Sequence, residues 1–237
     1  YQAIVLEEAG NDGNSATPTT LNGDASLTYT DPVTGSDIAT PVDSDNEPTV
    51  TVVEPVLTVS QEISNLNGDS FSETDDAGVL GDSAQVPDGD AGDTVTIQIT
   101  VSNDDANGDV STAKAYDLIV TSTLDSTKFD LGSISNLQID GNSVAGAPTV
   151  SGDTVTFDSD TFNDLDDIDV NGTRTITFDV TLTDAIEPGE FLTIPDATVS
   201  GDSIAGDAGD TERDYTADSQ QLAVEIPRPS LEVELIS

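Results

Sequence analysis

The chain has no cysteine, no methionine, no histidine and no tryptophan among its 237 residues. Without Cys there is no disulfide, no thiolate metal site and no thiol nucleophile. Without His a Ser-His-Asp triad is excluded, and no imidazole can act as a general base near pH 7. Aromatics make up 4% of the residues and include no Trp, so a sugar-stacking platform is missing and the core must be built from Val, Ile and Leu. Positive charge is almost absent. Lys+Arg number 5 against 47 Asp+Glu, a net charge of −42, and 35 of the acids are Asp. Nucleic acid is excluded as a partner because phosphates require Lys and Arg. Anionic membrane surfaces are disfavoured on the same ground. No apolar run approaches the roughly 20 residues of a membrane span, so membrane insertion is not expected. No signal peptide is visible, and the missing initiator Met points to a processed or excised segment. Single-sign charge on this scale opposes compaction. Bound divalent cations, high salt or spreading along a rod are the ways to offset it.

What is present is self-similarity and alternation. Glu54–Ile63 (EPVLTVSQEI) reappears as Arg228–Ser237 (RPSLEVELIS), with Pro55 and Pro229 174 positions apart. Such recurrence is the mark of a tandem array. It divides the chain into the C-terminal part of one repeat (1–53), a complete repeat (54–227) and the first strand of the next repeat, or a donated strand (228–237). A second parallel supports the division. Leu27–Asp31, an acidic stretch and Thr49–Val53 match Ala197–Asp202, an acidic stretch and Leu222–Ile226. The hydrophobic period is two. Val95, Ile97 and Ile99 share one face of Thr94–Thr100, and Ile176, Phe178, Val180 and Leu182 share one face of Thr173–Thr183. Leu57–Ile63, Ala115–Thr121, Asp153–Phe157 and Leu222–Ile226 alternate in the same way. Half-buried antiparallel strands read like this. Turns such as Asp140-Gly141-Asn142 and Glu187-Pro188-Gly189 separate them. No stretch has amphipathic helix spacing. The expected fold is all-β, an immunoglobulin-like antiparallel sandwich.

Several of these residues also carry a resemblance. Leu57-Thr58-Val59 opens the unit. Gly92-Asp93-Thr94-Val95-Thr96 follows, with Ile97, Ile99, Val101 and Asn103, then Tyr116–Leu124, then Gly172 with Ile176, Phe178 and Val180. In order and spacing this resembles the conserved repeat domain of unknown function found in tandem in large bacterial and archaeal surface proteins. The likeness covers about residues 56–183. It departs from the pattern at Gln61, where Lys is common, and at Asn103–Val110, where a short turn is expanded. The resemblance implies an extracellular sandwich module of a stalk or adhesin, and it carries no catalytic residues.

Chemistry, where there is any, lies in the carboxylates. Asp105-x-Asn107-Gly108-Asp109, with Asp104 beside it, places oxygens at alternate positions around a Gly, the pattern of a loop that wraps a hard cation. Position 12 of such a loop is Tyr116 instead of Glu, so distant ligands have to complete the shell. Asp88, Asp90 and Asp93 precede the central strand. Asp158, Asp160, Asp164, Asp166, Asp167 and Asp169 crowd one loop. Asp43, Asp45 and Glu47 before the full unit have counterparts in Asp202, Asp207 and Asp210 after it. Calcium is the cation these donors suit. The opposing reading is that Asp is a turn residue whose side chain bonds its own backbone. Lys114 and the outward Thr rows read as ordinary surface. The function expected is a non-catalytic structural module of a secreted cell-surface stalk, filament or adhesin, rigidified by Ca²⁺, with neighbouring copies of the repeat or subunit as partners. Two alternatives stand beside it: a Ca²⁺-dependent module that binds a glycan or another cell surface, and a filament subunit that polymerises by strand addition through its terminal strand.

Overall fold

The computed structural model describes residues 19–22, 26–30, 37–43, 49–67, 69–70, 88–206, 213–226 and 228. Four strands come first: Thr20–Asn22 (β1), Ser26–Thr30 (β2), Asp37–Asp43 (β3) and Thr49–Thr51 (β4). The pairs β1–β4 and β2–β3 are antiparallel. After the Glu54-Pro55 step come Leu57–Leu66 (β5), Asp69–Ser70 (β6), Thr94–Asn103 (β7), Ala115–Thr123 (β8) and Phe129–Ile139 (β9). Asn142–Ser143 (β10), Thr149–Ser151 (β11), Thr154–Asp158 (β12), Asp167–Ile168 (β13) and Gly172–Leu182 (β14) follow. Phe191–Ile194 (β15), Thr198–Asp202 (β16), Asp214–Asp218 (β17) and Leu222–Glu225 (β18) complete the set. Among the described residues a single 3-10 turn, Asn163–Leu165, is the only helical element.

Two sheets face each other. One has the order β10-β9-β14-β7-β5-β6; the other runs β11-β12-β8-β16-β17, with β13 also on β8. The alternation read from the sequence sets which side faces in. Val95, Ile97, Ile99 and Val101 of β7 and Ile176, Phe178 and Val180 of β14 are fully buried. Across the gap, Leu118 and Val120 of β8 and Val155 and Phe157 of β12 meet them in one core. The strand β14 pairs with β7 over ten residues, Gly172↔Asn103 to Thr181↔Thr94. The chain is thus an all-β, immunoglobulin-like sandwich.

Two features depart from simple alternation. Strand β9 has no period-two pattern. Its register against β14 shifts twice, and Asn136 takes a positive φ of 50°. In β8, Asp117 stands at φ 52°, and the register with β16 shifts between Ser200 and Asp202. Bulges of this kind re-aim a strand without ending it.

Candidate functional site

Asn107 and Gly108, the residues with the strongest cation-loop signal, have φ of 55° and 96°. Ala106 and Asp109 exchange both backbone hydrogen bonds around them, at 3.1 and 2.9 Å. Positive φ at both central residues is what a two-residue I′ hairpin turn requires, and Asn-Gly is its favoured pair. The flanking carboxylates serve the same turn. Asp104 Oδ1 accepts from Asp105 N at 2.7 Å, and Asp105 Oδ1 accepts from Ser111 N at 3.0 Å.

The other acidic loops behave alike. Asp93 Oδ2 accepts from Asp90 N, and Asp90 Oδ1 from Ala91 N, both at 2.7 Å, around Gly92 at φ 86°. Asp88 sits in a parallel bridge to Glu225, which seats Gly89 on Val224 and Leu182. Asp158 Oδ1 accepts from Thr161 N at 2.8 Å, closing the turn that holds Asp160. Asp166 follows the 3-10 turn, and its carbonyl accepts from Asp117 N.

In the rest of that loop two basic side chains take part, Arg174 at carbonyls and Lys114 at carboxylates. Arg174 donates from Nε to the Asp164 carbonyl at 2.6 Å and from Nη2 to the Asp167 carbonyl at 2.9 Å. Lys114 Nζ lies 2.9 Å from Asp169 Oδ1 and 3.3 Å from Asp167 Oδ2. These two acceptors push the Lys114 pKa up. Among the described residues no three carboxylates gather as a cation cage. Asp45, Glu47, Asp207 and Asp210 lie outside the described residues.

Lys128 anchors another turn. Its Nζ donates to the Ala185 carbonyl at 2.8 Å and to Glu190 Oε2 at 2.9 Å. The Lys128 hydrogen bond, helped by the Glu187 amide, holds the Glu190 carboxyl below its ordinary value. A lowered folded value gives stability that is present above the unfolded carboxylate range and is lost as pH falls through the folded value. Lys128→Gln is therefore expected to lower the melting temperature by about 2–4 °C at pH 7, for roughly 1 kcal/mol. The deficit should be full above the ordinary carboxylate range and shrink as pH falls through the lowered folded value of Glu190, where the carboxylate is protonated in both proteins. Thermal melts from pH 3 to 8 check this, and a deficit of constant size would refute it.

The stretches that lead to Glu54-Pro55 and to Arg228-Pro229 share a pattern of specific bonds. In each, a short ladder encloses a second one. The pair β1–β4 (Thr20↔Thr51) encloses β2–β3; the pair β15–β18 (Phe191↔Glu225) encloses β16–β17. The same backbone bond closes both outer ladders. Val52 N donates to Thr19 O, and Ile226 N donates to Glu190 O, each at 2.9 Å. Thr51 and Glu225 each stand four residues before a proline, Pro55 and Pro229.

Past the first ladder the chain is clamped. Glu54 O accepts from Thr112 N and Ala113 N at 2.9 and 3.1 Å, and Glu54 N donates to Thr112 Oγ1 at 2.9 Å. The Glu54 side chain is buried, and its carboxylate pairs with Arg213. Val56 N donates to Asn103 Oδ1 at 3.1 Å, and Asp104 N donates to Val56 O. Asn103 is fully buried. It accepts also from Ser111 Oγ at 2.6 Å and donates from Nδ2 to Ala113 O at 2.9 Å and to Ile168 O at 3.1 Å. Sequence reasoning gave neither Glu54 nor Arg213 a role. Their separation along the chain leaves no local signal. Asn103 closed the strand motif, but its side-chain partners lie on three other segments.

The fold is an immunoglobulin-like β-sandwich with nested strand ladders ahead of Pro55 and Pro229. No family model matches the chain, and no curated protein does. Solved structures align with the chain at low identity and low TM-score. BcpA, the major pilin subunit of Bacillus cereus, aligns with a TM-score of 0.44 and 10% identity over 87% of this chain and 65% of its own. The major pilin SpaD of Corynebacterium diphtheriae gives 0.43 and 13% over 71% of this chain and 34% of its own. A family 123 glycoside hydrolase from Clostridium perfringens gives 0.28 and 12% over 72% and 27%. The chain thus spans less than two thirds of each of these proteins.

Among the described residues no helix is long and apolar enough to cross a membrane.

Proposed function

We propose that this chain is a non-catalytic structural module of a secreted cell-surface stalk, filament or adhesin, in which sandwich units follow one another in series. The reading divides it into the tail of one unit (1–53), a complete unit (54–227) and the start of another (228–237). One observation carries it. The nested ladders that precede Pro55 and Pro229 have the same pairing pattern, the same closing bond and the same distance to the proline. A solitary enzyme domain has no use for a duplicated connection of this kind. An array uses it at every joint. The chain offers no His, Cys or Trp with which to do chemistry.

The test is location. Antibodies raised against the purified chain should decorate extended structures on intact source cells in immunogold microscopy. Label confined to the cell interior would overturn the reading.

Calcium is the finer part of the proposal. Its support is charge: −42 on the chain, against four basic side chains that already hold particular carboxylates or carbonyls. The acidic loops are capped by their own backbone, so cations act here by neutralising neighbouring loops instead of filling a ready-made cage. At low ionic strength, millimolar calcium is expected to raise the melting temperature by several degrees and excess chelator to reverse it. If sodium chloride of matched ionic strength does as much, screening alone explains the effect, and calcium drops out while the filament reading stands.

A further inference from the structure

The seat for Glu54 indicates what Arg228, at the matching point of the second connection, needs on its far side. Glu54 is 4% exposed and ion-paired to Arg213, which is also largely covered. With the backbone bonds to Thr112 and Ala113, this fixes the point where one ladder passes into the sandwich. A buried charge is tolerated only with its partner in place. The residue at the matching point of the second joint, 174 positions on, is Arg228. Its side chain lies back over Gly189, and among the described residues it is the only basic side chain without an ion pair. In a chain with 47 acids an unpaired arginine is conspicuous. A receiving sandwich identical to this one would set Arg228 against Arg213, two like charges in a covered seat.

We propose that Arg228 is one half of a charged lock between consecutive modules. The module that receives it carries a carboxylate at the position Arg213 occupies here. Neighbours are thereby matched by sign, and a second copy of this same sequence is disfavoured as the next unit. The inference rests on the serial-module reading above and adds the chemistry of the partner.

The experiment extends the full chain. Residues 1–230 run directly into a second copy of residues 57–226, so that Arg228-Pro229-Ser230 replaces Glu54-Pro55-Val56 at the second seat. Two versions are compared, one with the second copy unchanged and one with Arg213→Glu in that copy only. Differential scanning calorimetry should show the second unit melting about 5–10 °C higher with Arg213→Glu, the scale of a buried pair restored. Equal melting of the two versions overturns the lock. A second copy that folds in neither version overturns the 174-residue unit itself, and the lock with it.

A cycle in the unextended chain keeps the idea exposed to failure if both extended chains are insoluble. Glu54→Arg should melt far below wild type, and Glu54→Arg with Arg213→Glu should recover most of the loss. No recovery would show that the seat does not read charge. Surface labelling of cells is independent of all these outcomes, so loss of the lock and loss of the filament reading are distinguishable.

Discussion

Asn103→Ala is expected to lower the melting temperature by about 10 °C. The amide makes four hydrogen bonds in a site with no exposure, two as acceptor from Val56 N and Ser111 Oγ, two as donor to the carbonyls of Ala113 and Ile168. Alanine leaves a buried N–H and two buried carbonyls without these partners. Each orphan costs roughly 1–3 kcal/mol, whereas the bonds in place contribute only about 1 kcal/mol each. Even at the low end the loss is about 3 kcal/mol, and each kcal/mol shifts a domain of this size by roughly 2–4 °C. Asn103→Asp separates the two halves of the network. It keeps both acceptor contacts and turns the donor end into a carboxylate facing two carbonyls. Burial and those carbonyls favour its protonated form. The variant should approach wild type near pH 4 and fall away as pH rises. Ser122→Ala is the control, since that buried hydroxyl finds no hydrogen-bond partner. Its loss should leave the melting temperature unchanged or slightly raised. Thermal melts at several pH values measure all three. An Asn103→Ala protein that melts with wild type would mean that the joint is not held by this side chain.

The same residue shows what a sequence reveals and what it hides. The alternation that ends at Asn103 places Val95, Ile97, Ile99 and Val101 in the core, and their burial follows from a period of two alone. Long, regular strands such as β7 and β14 were therefore legible, as was the turn at Asp140-Gly141, where φ is 51° and 75°. The strand β9 was not. Gly132, Ser133, Ser135 and Asn136 carry no apolar alternation, and the strand holds its place through β14, with Ser133 Oγ accepting from Thr181 N and Asn136 donating to Asp179.

The acidic loops were ambiguous for a physical reason. Asp at a turn and Asp around a cation have the same short spacing, because both exploit a carboxylate one bond from the backbone. At Asn107-Gly108 the dihedral angles show a tight turn, a conformation the sequence does not display. Lys114 and Arg174 illustrate the converse case. Lys114 pairs with Asp167 and Asp169 from just before β8, a contact only the fold creates, while Arg174 ties the carbonyls of Asp164 and Asp167 from β14. The Glu54–Arg213 pair is the extreme instance. Its two residues are joined by the closure of the whole sandwich.

That closure has its own centre, and Phe178→Ala is expected to be the most damaging single substitution at it. Phe178 lies on β14, deep in the first sheet; Phe157 lies on β12 in the second. Their ring centroids are 5.3 Å apart at an interplanar angle of 43°, and Phe162 adds a second contact to Phe157 at 6.2 Å. Tilted pairs at this spacing contribute about 0.5–1.5 kcal/mol beyond the area they bury. With only six Phe and no Trp in the chain, no other aromatic is at hand to fill the space. Buried aliphatic residues of the same sheet, such as Ile97 opposite Phe178 on β7, are fixed in its ladder and collapse only partly into the cavity. Truncation of a buried Phe costs roughly 3–5 kcal/mol, which amounts to a fall of about 10–15 °C. Phe178→Leu should recover about half of it by restoring volume without the ring. Phe157→Ala combined with Phe178→Ala should cost less than the sum of the two, because the pair shares one contact. Phe191→Ala, at a side chain 51% exposed, should change the melting temperature by about 1–2 °C at most. Equal losses at Phe178 and Phe191 would place the stabilising core somewhere other than between these two sheets.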